Sequence, residues 1–581
     1  MHNSEIANFS ISVNGFKWIE SNQNSVLFQS IKKKFSFGKK ISEILSKKVS
    51  TEQNLSDFLD PKLRNLLPDP WVLKNMREAS EYIAQVIIKK KKIGIFGDFD
   101  VDGITSTSAI CLFLQEMNIP FEFYIPNRII EGYGPNIDAF KKLKEKGCQV
   151  IITVDCGITS NKVIEEAKNL GIKTIIIDHH LQAFSLPDAD FIINPNQEKD
   201  YSGLNNLAAV GVVFLFLISL KRELKKNNFF KNKKEPNLIN LVDLVALGTV
   251  CDLVKFDLVN RALVKSGLEL MKLNLRLSLK SLLKNSGLNE EINEYHLGFI
   301  IGPKINAGGR IADAKMAVDL FISKDLSIIE YNSEKLSKFN NERKNIQRSL
   351  ENRIVDSIDL NSKILFAHGQ NWHVGIIGIV ASRIATKFLK PVILISETDD
   401  LCKGSCRSVN GFNVGMLIQK ARDKEILISG GGHEMAAGLS IQKDNLKKFR
   451  NFIEQYPYEN IFENMFKYYD IELDILNINK EFYNELCSLA PYGPGNSKPK
   501  ILLKNCFLKD IRRVGQDHLS CKISNFLGKT VNAIVFKAFD NKIGKFLIHN
   551  HGESCDIVCY LRENTWNGAS RIEIEIIDIF I

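Results

Sequence analysis

The cysteines of this 581-residue chain lack any repeated short spacing, although there are eleven of them. Disulfide frameworks and structural zinc sites both need cysteines at recurring intervals. Cys402 and Cys406 stand close together, but no second pair lies nearby to complete a zinc site. We therefore expect free thiols and a reducing, cytoplasmic location.

The chain also lacks the hydrophobic segments that secretion or membrane insertion would need. Its first residues mix Asn, Ser and Glu with apolar residues and contain no signal-peptide core. The longest apolar run, residues 207–220, is shorter than the roughly 20 residues of a membrane-spanning helix. We expect a buried helix there and no membrane association.

Strong net charge is the third feature that is missing. The formal charge of +10 is compatible with an anionic partner but does not require one. A hydrophobic content of 44% and a charged content of 25% are typical of a globular protein. Because 581 residues exceed what one core can organise, we expect three or four domains.

What the sequence does contain is a series of acidic and imidazole groups placed directly after apolar runs. Strand-like runs end near residues 97, 154 and 177, and helical patterns lie between them. This alternation predicts a parallel sheet, whose carboxyl edge is where ligands bind. Another apolar run ends at residue 252. The groups expected at this edge are Asp98, Asp100, Asp102, Asp155, His179, His180 and Asp252.

The chemistry of this set favours divalent metal ions. Three carboxylates within residues 97–103 repel one another unless cations lie between them, and oxygen ligands suit Mg²⁺ or Mn²⁺. Two such ions activate water and stabilise both oxygens of a phosphoryl displacement. The simpler alternatives are a solvated acidic turn and two histidines that only begin a helix. Which histidine binds metal stays open.

A second α/β unit begins near residue 364, after a charged stretch at 325–360 that predicts a long connecting helix. Within this unit, Gly-Ser-Cys-Arg-Ser at 404–408 and Gly-Gly-Gly-His at 430–433 favour phosphate binding, although a glycine run can also be a tight turn. After residue 496, short alternating segments predict a small β-barrel, with an OB-fold as the leading option.

Together these motifs resemble those of the DHH phosphoesterase superfamily, and within it the single-stranded-DNA-specific exonucleases. The resemblance covers the chain from about residue 55 onward. The matching segments are Gly-Asp-Phe-Asp-Val-Asp-Gly at 97–103, Asn-Arg at 127–128, Glu-Gly-Tyr-Gly at 131–134, Val-Asp-Cys-Gly at 154–157, Asp-His-His at 178–180, Gly-Thr-Val-Cys-Asp at 248–252, Ile-Asn-Ala-Gly-Gly-Arg at 305–310, Gly-Ser-Cys-Arg-Ser at 404–408, Gly-Gly-His-Glu-Met-Ala-Ala-Gly at 431–438 and Pro-Tyr-Gly-Pro-Gly-Asn at 491–496.

The resemblance implies an α/β fold with three parts. A parallel-sheet DHH domain and a second, DHH-associated α/β domain are joined by a long helix, and a C-terminal OB-fold β-barrel follows. The expected boundaries are a lead-in segment at 1–75, the DHH domain at 76–325, the connecting helix at 326–360, the DHH-associated domain at 361–460, and a linker with the nucleic-acid-binding OB-fold at 461–581.

The activity implied by the resemblance is 5′-to-3′ degradation of single-stranded DNA to mononucleotides, by two-metal-ion hydrolysis, in recombination and repair. The implied partners are single-stranded DNA, a single-stranded-DNA-binding protein and a helicase, and we expect a monomer. One alternative is a DHH-family oligoribonuclease or cyclic-dinucleotide phosphodiesterase, whose relatives usually lack the C-terminal barrel. Another is a non-catalytic single-stranded-DNA-binding protein, which an incomplete ligand set would indicate.

Residue roles follow from the same resemblance, position by position. The catalytic residues would be Asp155, His180 and Arg310, with Arg310 neutralising charge on the phosphoryl group. The metal ligands for two Mn²⁺ or Mg²⁺ ions would be Asp98, Asp100, Asp102, Asp155, His179 and Asp252. The substrate contacts would be Arg128, Tyr133, Asn306, Arg383, Ser405, Arg407, Gly432 and His433.

Overall fold

The computed structural model describes residues 11–35, 37–183, 185–284, 286, 291–398, 401–457, 466–549, 554–566 and 569–581. The chain divides into two compact units. The larger unit contains the described parts of 67–255 and 262–460, and the smaller one those of 1–66, 256–261 and 461–581.

Strands and helices alternate through most of the chain, and strands predominate near its C-terminus. The strands are β1 Lys17–Glu20, β2 Ile93–Gly97, β3 Phe121–Tyr124, β4 Val150–Val154, β5 Lys173–Ile177, β6 Phe191–Ile193, β7 Leu365–Gln370, β8 Val392–Glu397, β9 Leu401–Arg407, β10 Ser429–Gly432, β11 Ala436–Gln442, β12 Phe466–Tyr469, β13 Ile471–Glu472, β14 Ile501–Val514, β15 His518–Ser524, β16 Thr530–Val535, β17 Ser554–Trp566 and β18 Ala569–Phe580. The helices are α1 Ser25–Lys34, α2 Lys39–Lys48, α3 Gln53–Leu59, α4 Leu63–Leu66, α5 Met76–Ile88, α6 Val101–Glu116, α7 Ile137–Glu145, α8 Asn161–Asn169, α9 Ala209–Lys226, α10 Val242–Cys251, α11 Leu258–Leu273, α12 Leu277–Lys284, α13 Glu294–His296, α14 Gly302–Ile311, α15 Lys315–Ile322, α16 Leu326–Ser357, α17 Val374–Phe388, α18 Val414–Asp423, α19 Leu446–Glu454, α20 Lys480–Cys487 and α21 Lys542–His549.

The first sheet of the larger unit is parallel throughout, with the strand order β3-β2-β4-β5-β6. Every residue of β2 and β4 is buried, because both faces of a parallel sheet are covered by helices. This double burial explains why both strands consist almost entirely of apolar residues. The predicted parallel sheet is confirmed, and all but the first two residues of the apolar run at 207–220 lie in the largely buried helix α9.

Helix α16 is the predicted long connecting helix. Its 32 residues run from Leu326 to Ser357, and the preceding N-cap Asp325 accepts a hydrogen bond from Ser327 N through its carboxylate. At a rise of about 1.5 Å per residue the helix is roughly 48 Å long. It packs against α12, α14 and α15 on one side of the connection and against α17 on the other.

The second sheet of the larger unit has the strand order β10-β11-β9-β8-β7. Only the pairing of β7 with β8 is parallel, and the other pairings are antiparallel. Cys402 and Cys406 are both buried on β9, and all eleven cysteines carry free thiols. The two residues therefore serve as small apolar core side chains, as free cysteines commonly do.

The smaller unit contains the β-barrel. Strands β14, β15, β16, β18 and β17 follow one another in the sheet, and β17 also pairs with β14, which closes the barrel. The predicted C-terminal barrel is thus confirmed. Residues N-terminal to the first catalytic motif complete this unit: β1 pairs with β12, and Ile44 and Leu45 share one core with barrel residues such as Ile557.

A buried arginine organises the same unit. Arg261 is fully buried, and its guanidinium donates hydrogen bonds to the carbonyl oxygens of Phe58, Leu489, Ala490 and Pro491. It also stacks on the Phe58 ring, 3.9 Å from the centroid. Three segments remote in sequence are therefore joined by one side chain.

None of the helices within the described residues combines the length and the apolar character needed to cross a bilayer.

Candidate metal centre

The ends of three neighbouring strands and one helix bring the acidic and imidazole groups together. Asp98 directly follows β2, Asp155 follows β4, and His179 follows β5 after one intervening residue. Asp252 is the C-cap of α10, a helix that packs against α6. Because parallel strands share one carboxyl edge, four groups remote in sequence meet there.

The acidic segment at 97–103 is only partly a loop, since helix α6 already begins at Val101. Asp100 caps this helix and accepts hydrogen bonds from Asp102 N and Gly103 N. A Cβ at Gly103 would lie 2.4 Å from the carbonyl oxygen of Asp98, so glycine permits the close approach of helix and strand. The sequence pattern predicts three loop carboxylates, whereas Asp102 lies in the first helical turn.

Asp102 is held from a second direction. Its two carboxylate oxygens accept hydrogen bonds from Ala209 N at 2.7 Å and Val210 N at 2.9 Å, at the start of α9. Free amide groups at a helix N-terminus carry partial positive charge and stabilise a carboxylate. Asp102 is therefore oriented independently of Asp98 and Asp100.

The ligand-type atoms lie within a few ångströms of one another. His179 Nε2 is 3.3 Å from Asp155 Oδ1, 3.6 Å from Asp252 Oδ2 and 3.9 Å from Asp102 Oδ2. Three sets each offer ligand atoms that lie within 4.8 Å of one another. These sets are Asp98–Asp100–Asp155, Asp102–His179–Asp252 and Asp155–His179–His180.

The electrostatics of the cluster call for cations. Burial, reinforced by the neighbouring carboxylates, raises the pKa of Asp102 to about 7 and that of Asp252 to about 9. The same causes raise the pKa values of Asp98 and Asp155 well above their usual range. Asp98 Oδ1, His179 Nε2 and Asp252 Oδ2 are buried without a hydrogen-bond partner. Hard divalent ions would neutralise this charge and use these atoms, so the residues fit such ions.

Asp178 orients the two histidines, and sequence reasoning missed it as a functional residue. It is fully buried and accepts hydrogen bonds from the backbone N–H groups of Ile158, His179 and His180, and from His180 Nδ1 at 2.8 Å. Burial alone would raise its pKa, but the hydrogen bonds and charge of His180 lower it overall. The signal was its place directly before the histidine pair.

The two histidines have opposite electrostatic behaviour. Burial and the charge of His180 lower the pKa of His179 to about 4, so its ring is neutral, as a metal ligand must be. For His180, burial would lower the pKa, but the hydrogen bond and charge of Asp178 raise it to about 9. The electrostatic environment therefore makes the His179 ring neutral and the His180 ring charged, whereas the sequence left the two histidines equivalent.

Asp155 has an unusual backbone conformation. Its φ of 61° lies in the left-handed region, which is sparsely populated for residues other than glycine and is common at functional sites. Its carbonyl oxygen accepts a hydrogen bond from Tyr133 Oη at 3.3 Å, and that hydroxyl also lies 3.3 Å from His180 Nδ1. The predicted substrate residue Tyr133 is thus part of the cluster's rim.

A group of arginines lies beside the carboxylates. Burial, together with the charges of Arg128, Arg343 and Arg407, lowers the pKa of Arg310 to about 9, while Asp100 acts in the opposite direction. Arg310 Nη1 donates to the carbonyl oxygen of Gly375 at 2.9 Å. The residues suit an anion, since the structure places several guanidinium groups together with little compensating charge.

Three of these arginines were predicted from the sequence. The Arg128 guanidinium stacks on the Phe99 ring, 4.8 Å from the centroid, and the charges of Asp98 and Asp100 act on it. Arg407 lies on β9, where its Nη1 donates to Cys406 O and, at 3.4 Å, to Ser405 Oγ. Arg343 on α16 was missed.

The remaining predicted substrate residues belong to none of the three ligand sets. Asn306 is half-buried on α14, one turn before Arg310. Arg383 on α17 forms an ion pair with Glu351 at 3.1 Å. Gly432 and His433 are exposed at the end of β10. Their roles stay predictions.

Family models match most of the larger unit and the barrel. The DHH family N-terminal domain matches residues 92–249, the DHHA1 domain matches 361–458, and the RecJ OB domain matches 469–578. Together with the cluster of ligand-type side chains, these matches define a protein of the DHH class with a candidate divalent-metal site.

Individual relatives specify the family further. The chain is 34% identical over 521 residues to the single-stranded-DNA-specific exonuclease RecJ of Bacillus subtilis, covering 88% of this chain and 64% of that protein's length, which is just under two thirds of it. Identity to RecJ of Haemophilus influenzae is 31%, covering 79% of this chain and 82% of that protein. The chain belongs to the RecJ family.

The solved structures agree with this assignment. The crystal structure of RecJ from Thermus thermophilus in complex with Mn²⁺ superposes with a TM-score of 0.80 at 25% identity, covering 97% of this chain and 79% of that one. A Mg²⁺ complex of the same protein gives a TM-score of 0.74 at 23% identity and supports the fold. The predicted fold class is thereby confirmed, and the Mn²⁺ and Mg²⁺ bound by that relative agree with the predicted divalent-metal cofactor.

Proposed function

We propose that this protein is a 5′-to-3′ exonuclease that degrades single-stranded DNA to mononucleotides during recombination and repair. The observation that carries the proposal is the meeting of all seven predicted carboxylate and imidazole groups at one sheet edge. The preference for single-stranded DNA comes from the RecJ relatives, which carry that specificity in their names.

Two divalent ions, Mn²⁺ or Mg²⁺, would supply water activation and charge neutralisation at the scissile phosphate. Asp98, Asp100 and Asp155 would hold one ion, and Asp102, His179 and Asp252 the other. Asp155 would help to hold both ions, since its carboxylate belongs to the first set and lies 3.3 Å from His179 Nε2.

His180 would act on the substrate through Nε2. Its Nδ1 carries the proton, because the carboxylate of Asp178, 2.8 Å away, can only accept. Asp178 thereby fixes the orientation of the ring and keeps a proton on Nδ1, as carboxylates that accept a hydrogen bond from a histidine do at metal sites.

Arg310 would neutralise charge developing on the phosphoryl group. Its guanidinium is mostly buried, lies within the field of Asp100, and is anchored by Gly375 O. Arg128, Ser405 and Arg407 would bind phosphate beside it, and Tyr133 would contact the strand at the rim. Charge-assisted bonds from arginine to phosphate are among the stronger polar contacts in proteins.

The wider context is also proposed. Asn306, Arg383, Gly432 and His433 would contact the strand or its 5′-phosphate, and the OB-fold would extend the binding surface. We further propose a cytoplasmic monomer that works with a single-stranded-DNA-binding protein and a helicase. The eleven free thiols support a reducing compartment.

The alternative functions have less support. A DHH-family oligoribonuclease or cyclic-dinucleotide phosphodiesterase would not need the RecJ OB domain that matches residues 469–578. A non-catalytic binding protein would not need to keep the buried, mutually repelling carboxylates of the cluster, because such groups are costly without cations.

The test is a cleavage assay with Mn²⁺ on single strands blocked at either end, using DNA and RNA. We expect mononucleotides from DNA with a free 5′ end and little cleavage of blunt duplex. Asp155→Ala should abolish the release of mononucleotides while the strand still binds, because the substitution removes a metal ligand and leaves the arginines in place. Cleavage by Asp155→Ala at the unmodified rate would show that the assigned centre is wrong.

A further inference from the structure

Arg343 on the connecting helix is held in one orientation by two amide side chains. Its Nε and Nη2 donate to Asn340 Oδ1 at 3.1 and 2.9 Å, and its Nη1 donates to Gln347 Oε1 at 3.1 Å. Asn340 and Gln347 are each only 4% exposed. The guanidinium therefore has a fixed direction, with further N–H groups on Nη1 and Nη2 that these bonds do not use.

The position of Arg343 follows from the helix periodicity. Leu336, Asn340, Arg343 and Gln347 lie on one stripe of α16, because they are spaced by three or four residues. At the start of the stripe, a Cβ at Gly308 of α14 would lie 3.1 Å from Leu336 Cδ2. Two turns farther along, Arg343 lies close enough for its charge to act on Arg310, at the end of α14.

The charge of Arg343 is not neutralised within the described chain. No carboxylate of the described residues lies within ion-pair distance of Arg343 or Arg310, whereas the nearby Arg383 is paired with Glu351. Neutral amides orient a guanidinium without cancelling its charge. A half-buried guanidinium that is oriented but not neutralised is well suited to bind an external anion.

We propose that Arg343 is a substrate-binding residue of this enzyme, contacting a phosphate of the single strand beside the phosphate held by Arg310. The proposal rests on the proposed function and adds the connecting helix to the surface that binds the strand. Asn340 and Gln347 are its positioning residues, because they direct the guanidinium without reaching the strand themselves.

The test compares Arg343→Gln with Arg353→Gln, which removes an exposed arginine from the same helix. Cleavage of an oligothymidylate with Mn²⁺ gives KM and kcat, and binding by the same variants in an Asp155→Ala background gives the salt dependence. We expect Arg343→Gln to raise KM about tenfold, the size expected for a charge-assisted bond, with a smaller change in kcat. The slope of log affinity against log salt should become shallower by about 0.7.

Two further arms keep the proposal falsifiable. Arg343→Lys keeps the charge but loses the paired N–H groups of the guanidinium. It should therefore keep the salt slope and bind the strand more weakly. If Arg343→Gln does not fold, this variant tests the role of Arg343 instead. Strands with and without a 5′-phosphate distinguish a terminal phosphate from an internucleotide one as the group contacted.

The outcomes separate the two proposals. If the unmodified protein does not cleave single-stranded DNA, the proposed function fails. If it does cleave, but Arg343→Gln matches Arg353→Gln in KM and in salt slope, the role of Arg343 alone is refuted.

Discussion

Without divalent ions, the stability of the larger unit should fall as the pH rises from about 6.5 to 9. The pKa of Asp252 is raised to about 9 and that of Asp102 to about 7, against 3.8 for an ordinary carboxyl group. A group whose pKa is higher in the folded protein stabilises it below the unfolded pKa and loses that effect as the pH rises through the folded pKa. His180, whose pKa is raised to about 9, acts with the same sign.

The size of the effect follows from the pKa values. Between pH 6.5 and 9, Asp252 loses the effect of about 2.5 pKa units, which corresponds to about 3 kcal/mol at about 1.4 kcal/mol per unit. Asp102 adds less than about 1 kcal/mol in this window, since its pKa of about 7 lies only about half a unit above the lower end of the window. His180 is 44% exposed on its side chain, so its contribution is strongly screened. Below pH 6.5 the lowered pKa of His179 acts in the opposite direction, which is why the window begins there.

Bound divalent ions should remove this dependence, because they keep the carboxylates ionised without mutual repulsion. The measurement is thermal unfolding of EDTA-treated and Mn²⁺-saturated protein at pH 6.5, 8 and 9. We expect the melting temperature to fall by about 5 °C or more with EDTA, and much less with Mn²⁺. Equal pH dependence in both samples would refute the assignment of these carboxylates to an ion site.

Three substitutions test other parts of the structure. Asp178→Asn should lower kcat/KM about 10- to 100-fold and lower the pKa of His180 measured by NMR, while the exposed control Asp188→Asn should change neither. Gly103→Ala should lose Mn²⁺ affinity in calorimetry, because its Cβ would lie 2.4 Å from the carbonyl oxygen of Asp98; unchanged affinity would show that the helix can shift freely. Arg261→Leu should destabilise the smaller unit by about 3 kcal/mol or more in urea unfolding, since buried carbonyl groups lose their donor.

The parallel sheet and its acidic edge could be predicted because each depends on a short stretch of sequence. A strand buried on both faces must be apolar throughout, so β2, β4 and β5 stand out as continuous runs. The residue after each run then falls at the same edge, whatever the details of packing. The positions of Asp98 and Asp155 at this edge could therefore be predicted from the strands alone.

The missed residues depend on packing that local patterns do not record. Asp178 belongs to none of the three ligand sets. Its importance lies in the four hydrogen bonds that it accepts. Arg343 looks like one more charge on a polar helix until α14 is packed against it. The pairing of Lys17–Glu20 with Phe466–Tyr469 joins segments more than 400 residues apart, and no periodicity reveals such a partner.

The site consists of two halves of opposite charge, and each half is unstable by itself. The carboxylates around Asp155 raise one another's pKa values, and the arginines around Arg310 lower its pKa, because in both cases like charges are buried together. Under the proposed function, divalent ions would supply the counter-charge for the first half and substrate phosphate would supply it for the second. Since the charge of Asp100 reaches Arg310, the two halves are electrostatically connected. Ions and strand that occupy adjacent halves must therefore strengthen each other's binding, and thermodynamic linkage makes that effect reciprocal.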